Sequence, residues 1–354
     1  MLGSRATSRS FPHRRRSSPV PISRRFIPLL TLTAAVALTG ACSSTDHSAG
    51  RVAATSAEKG AEKGAANSQA ATDLYVDPDS NPARWARDNA GDGRAARIKA
   101  AIADKPIARW FGDWDNDIAG AVSGYVGAAQ TAGKTPVLVA YNVPGRDCNG
   151  HSDGGAGDAA AYRTWIDKFA GGIGDRPAIV VVEPDAVAQL DCIPEGERQL
   201  RLDLMKYAVD QLKAKASNAW TYLDGGNAKW IAAATMAQRL KDAGITNARG
   251  FSVNVSNYYT TAESDAYAND VNNALGTAKK YVIDTSRNGN GSNGEWCNPA
   301  GRKLGAAPQP GTGGAELELW VKVPGDSDGP CGIGPNVPAG QFSPDLAVHL
   351  IDGN

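Results

Sequence analysis

Short runs of β-branched and aromatic residues alternate with longer alanine-rich stretches from about residue 74 to the end of the chain. The short runs have the length of strands, and the alanine-rich stretches have the length of helices. A strand and a helix repeated about seven times predict an α/β fold, a distorted seven-stranded (β/α) barrel of the TIM-barrel type, with a doubly wound open sheet as the alternative. The predicted strands are 107–112, 136–141, 178–183, 219–223, 250–255, 280–284 and 317–323, and the predicted helices are 116–132, 158–171, 197–215, 228–243 and 262–278.

The most continuous apolar run is Ile-Val-Val-Val at 179–182, which is followed directly by Glu183, Pro184 and Asp185. Four β-branched residues in a row predict a strand that is buried on both faces, and the proline should end it. Asp185 is thereby placed at the carboxyl end of a parallel strand, where catalytic groups lie in α/β folds. A carboxyl group in apolar surroundings can have a raised pKa and act as a general acid. The alternative is that Asp185 merely caps a helix.

The first 42 residues have the pattern of an export signal. Arginines at 14–16 and 24–25 precede an apolar segment, 26–41, that is short for a membrane span. The segment ends in Leu-Thr-Gly-Ala followed by Cys42, which resembles a bacterial lipobox with Thr39 in place of leucine. We therefore expect an exported bacterial protein, either a cell-surface lipoprotein lipidated at Cys42 or an extracellular protein cut nearby. Any membrane contact should run only through that anchor.

Residues 43–73 are rich in Ala, Ser, Gly, Lys and Glu and contain the sequence Ala-Glu-Lys-Gly twice, at 57–60 and 61–64. Because this segment has almost no large apolar residue, it cannot bury a core, and it predicts a flexible tether. The folded domain should span 74–354.

The whole chain has 37 basic and 37 acidic residues, but seven arginines and no acidic residue lie in the first 41 positions. Without them about 30 basic and 37 acidic residues remain, which argues against nucleic acid as a partner. The histidines have no metal-ligand spacing, and the chain has no CxxC, GxSxG or P-loop motif. We therefore expect neither a metal nor a cofactor.

Four cysteines follow Cys42. Export makes disulfides plausible, and four cysteines allow three connectivities. Two of them lie in Gly/Asn-rich loops just after a strand, and each is followed by another loop cysteine. We therefore expect the pairs Cys148–Cys192 and Cys297–Cys331, which would staple long loops at the strand ends and frame a site there.

Polar residues collect where the predicted strands end, and they are mainly carboxylates with few cations and no histidine. Tryptophans at 114, 230, 296 and 320 are nearby in sequence. Sugar rings stack on indole, their hydroxyls bond to Asp, Asn and Lys, and two carboxyl groups can cleave a glycosidic bond without a cofactor. The pattern predicts a polysaccharide site, although Asp224 and Asp284 could be turn or cap residues and Trp320 could be core. The strand-end residues are Tyr141, Asp147, Asp185, Asp224, Asn254, Asp284, Arg287, Lys322, Asp326 and Asp328.

Several segments resemble, in the same order, the motifs of glycoside hydrolase family 6, the inverting cellulases. The resemblance covers about residues 74–354 and implies a distorted barrel that cleaves β-1,4-glucan with inversion at the anomeric carbon. The matching segments are 139–148 (VAYNVPGRDC), 179–185 (IVVVEPD), 222–230 (YLDGGNAKW), 254–258, 283–290, 294–297 and 319–329.

The motif positions imply a role for each matching residue. Asp185 is implied as the general acid, Asp147 as the neighbour that raises its pKa, and Asp328 as the proposed base, a role that a water chain can also serve. Tyr141 is implied to lie under the sugar at the cleaved bond, Asp224 to order the site, and Trp230 and Trp296 to stack on either side of that bond. The implied hydroxyl-binding positions are Asn227, Asn254, Lys322 and Asp326.

The sequence also departs from the family pattern. Asp153 stands where the family usually has a serine that helps to hold the attacking water, so either the relay is altered or Ser152 takes its place. Asn227 replaces a common histidine and Asp326 a common glutamate. Inversion requires room for that water, so Asp185 and Asp328 are expected at a carboxyl separation of about 6.5–9.5 Å.

The short spans between paired cysteines favour an open cleft, and hence an endo-acting β-1,4-glucanase over an exo-acting cellobiohydrolase. A non-catalytic glycan-binding relative is the second hypothesis, and a metal-dependent esterase lacks its ligand set. Because the barrel uses everything after residue 74 and leaves no room for a separate cellulose-binding module, we expect action on soluble or amorphous β-glucan. We also expect a monomer.

Overall fold

The structure, a computed structural model, describes residues 73–354. The export signal, the lipidation site at Cys42 and nearly all of the tether lie outside these residues. Eight strands form one sheet in the order β1-β2-β3-β4-β5-β6-β8-β7, in which all neighbours are parallel except β7 and β8. The strands are β1 Arg109–Phe111, β2 Val137–Ala140, β3 Ala178–Val182, β4 Ala219–Asp224, β5 Gly250–Val253, β6 Lys280–Asp284, β7 Gln309–Pro310 and β8 Leu317–Leu319.

The two edges of this curled sheet approach each other without pairing as strands. The backbone nitrogen of Ala108, just before β1, donates to the carbonyl of Trp320, just after β8, at 2.9 Å. The indole nitrogen of Trp110 donates to the carbonyl of Val321 at 2.8 Å. The predicted distorted seven-stranded barrel is thereby confirmed, with the two-residue strand β7 as an unpredicted addition on the edge of β8.

Within residues 73–354, eight α-helices lie around the sheet, and five of them match the predicted ones. The predicted helix 228–243 begins only at Ala233, because residues 228–232 form the turn that carries Trp230. The predicted helix 262–278 ends at Leu275, where Gly276 adopts a left-handed cap. The helices are α1 Asn81–Asp88, α2 Ala95–Ile98, α3 Ile118–Thr131, α4 Ala159–Ile173, α5 Glu195–Lys215, α6 Ala233–Asp242, α7 Thr261–Leu275 and α8 Pro344–Asp352.

The sheet is buried on both faces, as the unbroken apolar runs predicted. On β3, Ile179 and Val181 point into the barrel interior, whereas Val180 and Val182 pack against the surrounding helices. Trp320 is core, as one of the sequence alternatives proposed, since it packs with Ile98 under the first helices. Within residues 73–354, none of the helices is long and apolar enough to cross a membrane. Because strands β1 to β6 and β8 are parallel, their carboxyl ends share one rim, and the candidate site lies there.

Candidate active site

Asp185 lies in a strained turn just after β3. Glu183 has φ 49° and Asp185 has φ 71°, values that non-glycine residues adopt only when the surroundings impose them. The buried Glu183 carboxylate accepts hydrogen bonds from the backbone nitrogens of Asn142 and Val143 at 2.9–3.0 Å. The backbone nitrogen of Asp185 donates to Asp224 at 3.0 Å. The loops after β2 and β4 thus fix the turn from both sides.

Asp224 is the residue that orders this turn. Its buried carboxylate accepts from the backbone nitrogens of Asp185 and Gly226 at 3.0 Å and from the hydroxyl of Ser252 at 3.1 Å. Burial raises the pKa of Asp224 to about 7, although these hydrogen bonds lower it. Asp224 therefore lies in a turn, as one sequence alternative proposed. The hydrogen bonds of this turn are also the ones that would order the site, as the family resemblance implies.

The environment of Asp185 favours its protonated form. Burial raises the pKa of its carboxyl well above the ordinary value, the negative charges of Asp224 and Asp147 raise it further, and Lys322 opposes them. Close carboxyl groups cannot all ionise cheaply, so the negative charges beside Asp185 favour a proton on its carboxyl group. A half-buried carboxylic acid at this rim can donate a proton to a bound substrate.

Asp147 begins a tight loop after β2. Asp147, Cys148 and Asn149 have φ between 47° and 63°, a run of three left-handed residues. The Asp147 carboxylate accepts from the backbone nitrogen of Ser152 at 2.7 Å, which closes the loop. Ser152 is half-buried and engaged through its backbone, whereas Asp153 is exposed.

Tyr141 lies between the two carboxyl groups and the β1 side of the rim. Its ring meets the Trp110 indole edge-to-face at 5.0 Å, and the Arg146 guanidinium carbon lies 5.0 Å from the ring centroid. Burial raises the pKa of the Tyr141 phenol well above its ordinary value, and the charges of Asp185 and Asp147 add to the shift. Tyr141 is therefore a neutral, largely buried ring next to the acid.

Asp328 is held in a buried ion pair. Its carboxylate lies 2.8 Å from Arg287 Nη1 and 3.1 Å from Lys322 Nζ, and it accepts from the Tyr258 hydroxyl and the Asn298 backbone nitrogen at 3.1 Å. Burial would raise the pKa of Asp328, but Arg287 and Lys322 outweigh burial and hold it well below its usual range. The ion pair with Arg287 and Lys322 thus favours the charged form of Asp328.

Arg287 and Tyr258 were given no role by the sequence, although both lie at strand ends. An arginine among carboxylates on a common rim is the signal from which a buried ion pair could have been predicted, but spacing alone would not have identified its partner. Glu183 and Arg146 were missed in the same way. Arg146 donates to the carbonyl of Ser152 at 2.9 Å and pairs with Asp113 at 2.8 Å, so it holds the Asp147 loop in place.

One implied hydroxyl-binding residue, Asn254, is bonded to the backbone around it. Asn254 is fully buried, and its amide donates to the carbonyls of Tyr259 and Asp284 at 3.1 and 2.9 Å. Its amide oxygen accepts from the backbone nitrogen of Tyr259 at 3.1 Å. With φ 67°, Asn254 fixes a turn after β5.

The other three hydroxyl-binding candidates are each anchored locally. Asn227 accepts from the backbone nitrogen of Lys229 at 3.1 Å and so shapes the turn that presents Trp230. Asp326 accepts from the side-chain amide of Asn81 at 2.8 Å, and burial raises its pKa to about 7. Lys322 is half-buried beside Asp328.

Trp230 and Trp296 are exposed large aromatics on the same rim, with 41% and 54% of their surface accessible. Trp230 follows β4 and Trp296 follows β6. Each offers an indole face to solvent, which suits stacking of a sugar ring.

Cys148 is bonded to Cys192 and Cys297 to Cys331, the pairing expected from the loops. A nitrogen of His151 and the sulfurs of Cys297 and Cys331 lie within 4.8 Å of one another. Metal ligation needs thiolates, and sulfurs joined in a disulfide are not thiolates, so this cluster does not fit a metal ion.

The loop that carries Asp147 meets the loops of Trp296 and Asp328, although β2 is not a neighbour of β6 or β8. The His151 ring lies 6.0 Å from the Trp296 ring. A Cβ placed on Gly329 would be 2.3 Å from His151 Cγ, so the imidazole rests against this glycine. One loop contact therefore crosses between the two sides of the rim.

The model of the glycosyl hydrolases family 6 matches residues 69–354. The chain belongs to this family. It is 53% identical over 285 residues to Endoglucanase 1 of Streptomyces halstedii, covering 79% of this chain and 88% of that protein. It is 46% identical to Endoglucanase A of Cellulomonas fimi, covering 80% of this chain and 61% of the relative.

A solved structure of the same family superposes on this one. The endoglucanase Cel6 from Mycobacterium tuberculosis, in complex with methyl-cellobiosyl-4-deoxy-4-thio-β-D-cellobioside, matches with a TM-score of 0.76 and 42% identity. The match covers 80% of this chain and 98% of that one. The family assignment made from the motif segments is thus confirmed, and every residue of the site lies inside the matched range.

Proposed function

We propose that this family 6 enzyme is an endo-acting β-1,4-glucanase that inverts the anomeric configuration, with Asp185 as its general acid. The observation that carries the proposal is the position of Asp185, a carboxyl with a raised pKa between Asp147 and Asp224 at the barrel rim. The 53% identity to an endoglucanase supports the endo-acting mode and the glucan substrate.

The reaction begins with the glucan chain lying across the rim, with sugar rings on Trp230 and Trp296. The proton of Asp185 passes to the glycosidic oxygen as the bond to the anomeric carbon breaks. A water molecule attacks that carbon from the opposite face and loses one proton, so the new reducing end has the α configuration. Asp185 regains a proton from solvent, and the cycle is complete.

Asp147 and Asp224 act on the acid in different ways. The charge of Asp147 helps to keep Asp185 protonated, and Asp224 holds its backbone. Tyr141 lies against the sugar at the cleaved bond, and Asn227, Lys322 and Asp326 bind hydroxyls of neighbouring units. Those hydroxyl contacts give the cleft its selectivity for equatorial glucose hydroxyls.

The proton lost by the attacking water needs an acceptor. Asp328 was implied as the base, but a carboxylate held by Arg287 and Lys322 is a weak proton acceptor, because base strength follows pKa. We propose that the proton leaves through a chain of water molecules that passes Asp328. The sequence expectation of a separation of about 6.5–9.5 Å between the Asp185 and Asp328 carboxyls leaves space for such water.

The Asp328→Asn variant tests this step when it is assayed with and without sodium azide. If Asp328 accepts the proton directly, azide replaces water as the nucleophile and restores turnover with an α-glycosyl azide as product. Under the proposed relay, azide gives no rescue, and solvent deuterium slows the wild type by more than a single proton transfer would.

The configuration of the first product tests the function itself. Hydrolysis of cellopentaose followed by proton NMR should show the α-anomer of the new reducing end before mutarotation. A β-anomer would contradict inversion, and the absence of hydrolysis would favour a glycan-binding relative. We further propose that the enzyme acts outside the bacterial cell as a monomer, held by a lipid at Cys42 or released.

A further inference from the structure

Trp114 is a third strongly exposed tryptophan on the rim, and the site described above does not use it. It follows β1 and has 52% of its surface accessible, as much as the two tryptophans already assigned to sugar stacking. It stands where the β1 strand end meets the rim, on the far side of Tyr141 from Asp185 in the strand order. An exposed indole in this position needs a reason beyond packing.

The Trp114 ring lies against the backbone of Gly112 while about half of its surface stays open. A Cβ placed on Gly112 would be 2.5 Å from the ring, so the indole lies directly on this backbone. The backbone nitrogen of Gly112 also donates to Asp115 at 3.2 Å, which tightens the turn. A rigid aromatic ring loses little freedom when a ligand stacks on it, so binding there is not weakened by ordering.

Trp114 is joined to the catalytic centre by the buried Arg146. The guanidinium carbon of Arg146 lies 5.3 Å from the Trp114 ring and 5.0 Å from the Tyr141 ring. Arg146 also pairs with Asp113, the neighbour of Trp114, at 2.8 Å. The row Trp114, Arg146, Tyr141 is therefore one continuous set of contacts that leads from the outer rim to the acid.

We propose that Trp114 is an additional platform for one glucosyl unit of a β-1,4-glucan, on the β1 side of the cleft beyond Tyr141. The apolar face of a pyranose ring would stack on the indole, and the half-exposed Asp113 carboxylate would accept a hydroxyl at its edge. Trp230 and Trp296 follow β4 and β6, away from β1 in the strand order, and are already assigned to the two sides of the cleaved bond. This inference rests on the proposed glucanase function and extends its binding site by one unit.

The test is the dependence of kcat/KM on chain length for cello-oligosaccharides of three to six units. In the wild type kcat/KM rises up to the length that reaches Trp114. In Trp114→Ala the ratio of kcat/KM for the longest and shortest substrates falls about tenfold, which corresponds to about 1.4 kcal/mol. Trp114→Phe keeps most of the ratio, because a smaller aromatic ring still stacks. Leu200→Ala, which changes another exposed apolar residue on the outer helix α5, leaves the ratio unchanged.

The outcomes separate this inference from the proposed function. A wild type that cleaves the oligosaccharides, with an unchanged ratio in Trp114→Ala, overturns the platform and leaves the glucanase function intact. If the wild type cleaves none of them, the glucanase function fails, and calorimetric titration with cellohexaose then decides about Trp114. Binding that is about tenfold weaker in Trp114→Ala supports the platform, and equal binding overturns it.

Discussion

The carboxylate of Asp224 accepts the backbone N–H of Asp185 at 3.0 Å, so the acid is positioned through its main chain and not through its carboxyl group. On the other side of the same turn, Glu183 is bonded to the backbone of Asn142 and Val143. The strained φ of 71° at Asp185 is therefore imposed by two neighbouring strands, and both oxygens of the acid stay out of these bonds. The backbone N–H of Asp185 thus positions the residue, and its carboxyl group is left to donate the proton.

Replacing Asp147 by Asn should move the alkaline limb of the pH profile. The negative charge of Asp147 raises the pKa of Asp185, so its removal lowers that pKa. Asn can still accept from the backbone of Ser152, so the loop is kept. We expect the upper pKa in kcat/KM against pH to fall by about one unit. The exposed Asp270→Asn on α7 is the control, and an unmoved alkaline limb in Asp147→Asn would show that Asp147 does not act on the acid.

The stability of Asp185→Asn should exceed that of the wild type near neutral pH. The folded-state pKa of Asp185 is raised, so its favourable contribution exists below about pH 4 and is lost as pH rises toward the raised value. Asn does not titrate and avoids this loss. We expect a gain of about 1–2 kcal/mol in unfolding free energy at pH 7 that shrinks toward pH 4, measured by urea unfolding. A variant less stable than the wild type at both pH values would contradict the raised pKa.

Removing Arg287 should be far more costly than removing a surface cation. Arg287→Met leaves the buried Asp328 with Lys322 as its remaining cation, and such a loss costs about 3–5 kcal/mol. Lys206→Met breaks an exposed pair with Asp210 and should cost at most about 1 kcal/mol. Chemical denaturation of both variants compares them, and equal costs would mean that the Asp328 pair is not buried as described.

The contact between His151 and Gly329 should appear as an energetic coupling. Gly329→Ala meets both the Cβ and the ring of His151 and also strains a φ of 149°, whereas His151→Gly removes both of those partners. In a double-mutant cycle, Gly329→Ala should cost at least about 0.5 kcal/mol less when His151 is already glycine. Gly340→Ala, at φ 74° with open space around it, is the control that should show no coupling to His151. Additive costs at Gly329 would show that the two loops do not touch in solution.

The sequence could predict the elements whose signal is local and repeated. The alternation of apolar runs with alanine-rich helices predicted the number and direction of the strands. The valine run of β3 and the proline after Glu183 predicted the position of Asp185. Motif order then identified the family, and the comparisons confirm it. The short helices α1, α2 and α8 were missed because they lie before β1 and after β8, outside the repeated alternation of strand and helix.

The partners of several side chains could be found only from tertiary contacts. The motif position of Asn254 implied that it binds a substrate hydroxyl. In the structure its side-chain amide is hydrogen-bonded to the backbone of Tyr259 and Asp284. Arg287 was visible at a strand end, yet only the folded rim shows that its partner is Asp328. The contact of His151 with Gly329 joins residues far apart in sequence, which no spacing rule predicts.

The most direct test of the account is carboxymethylcellulose hydrolysis, with viscosity and new reducing ends followed together for wild type and Asp185→Ala. We expect a steep loss of viscosity per reducing end in the wild type and a drop in kcat of about 10²–10⁴-fold in the variant. Binding of cellohexaose should persist in the variant, since the tryptophan platforms are unchanged. Wild-type activity retained by Asp185→Ala, or slow loss of viscosity per reducing end in the wild type, would contradict an endo-acting enzyme whose acid is Asp185.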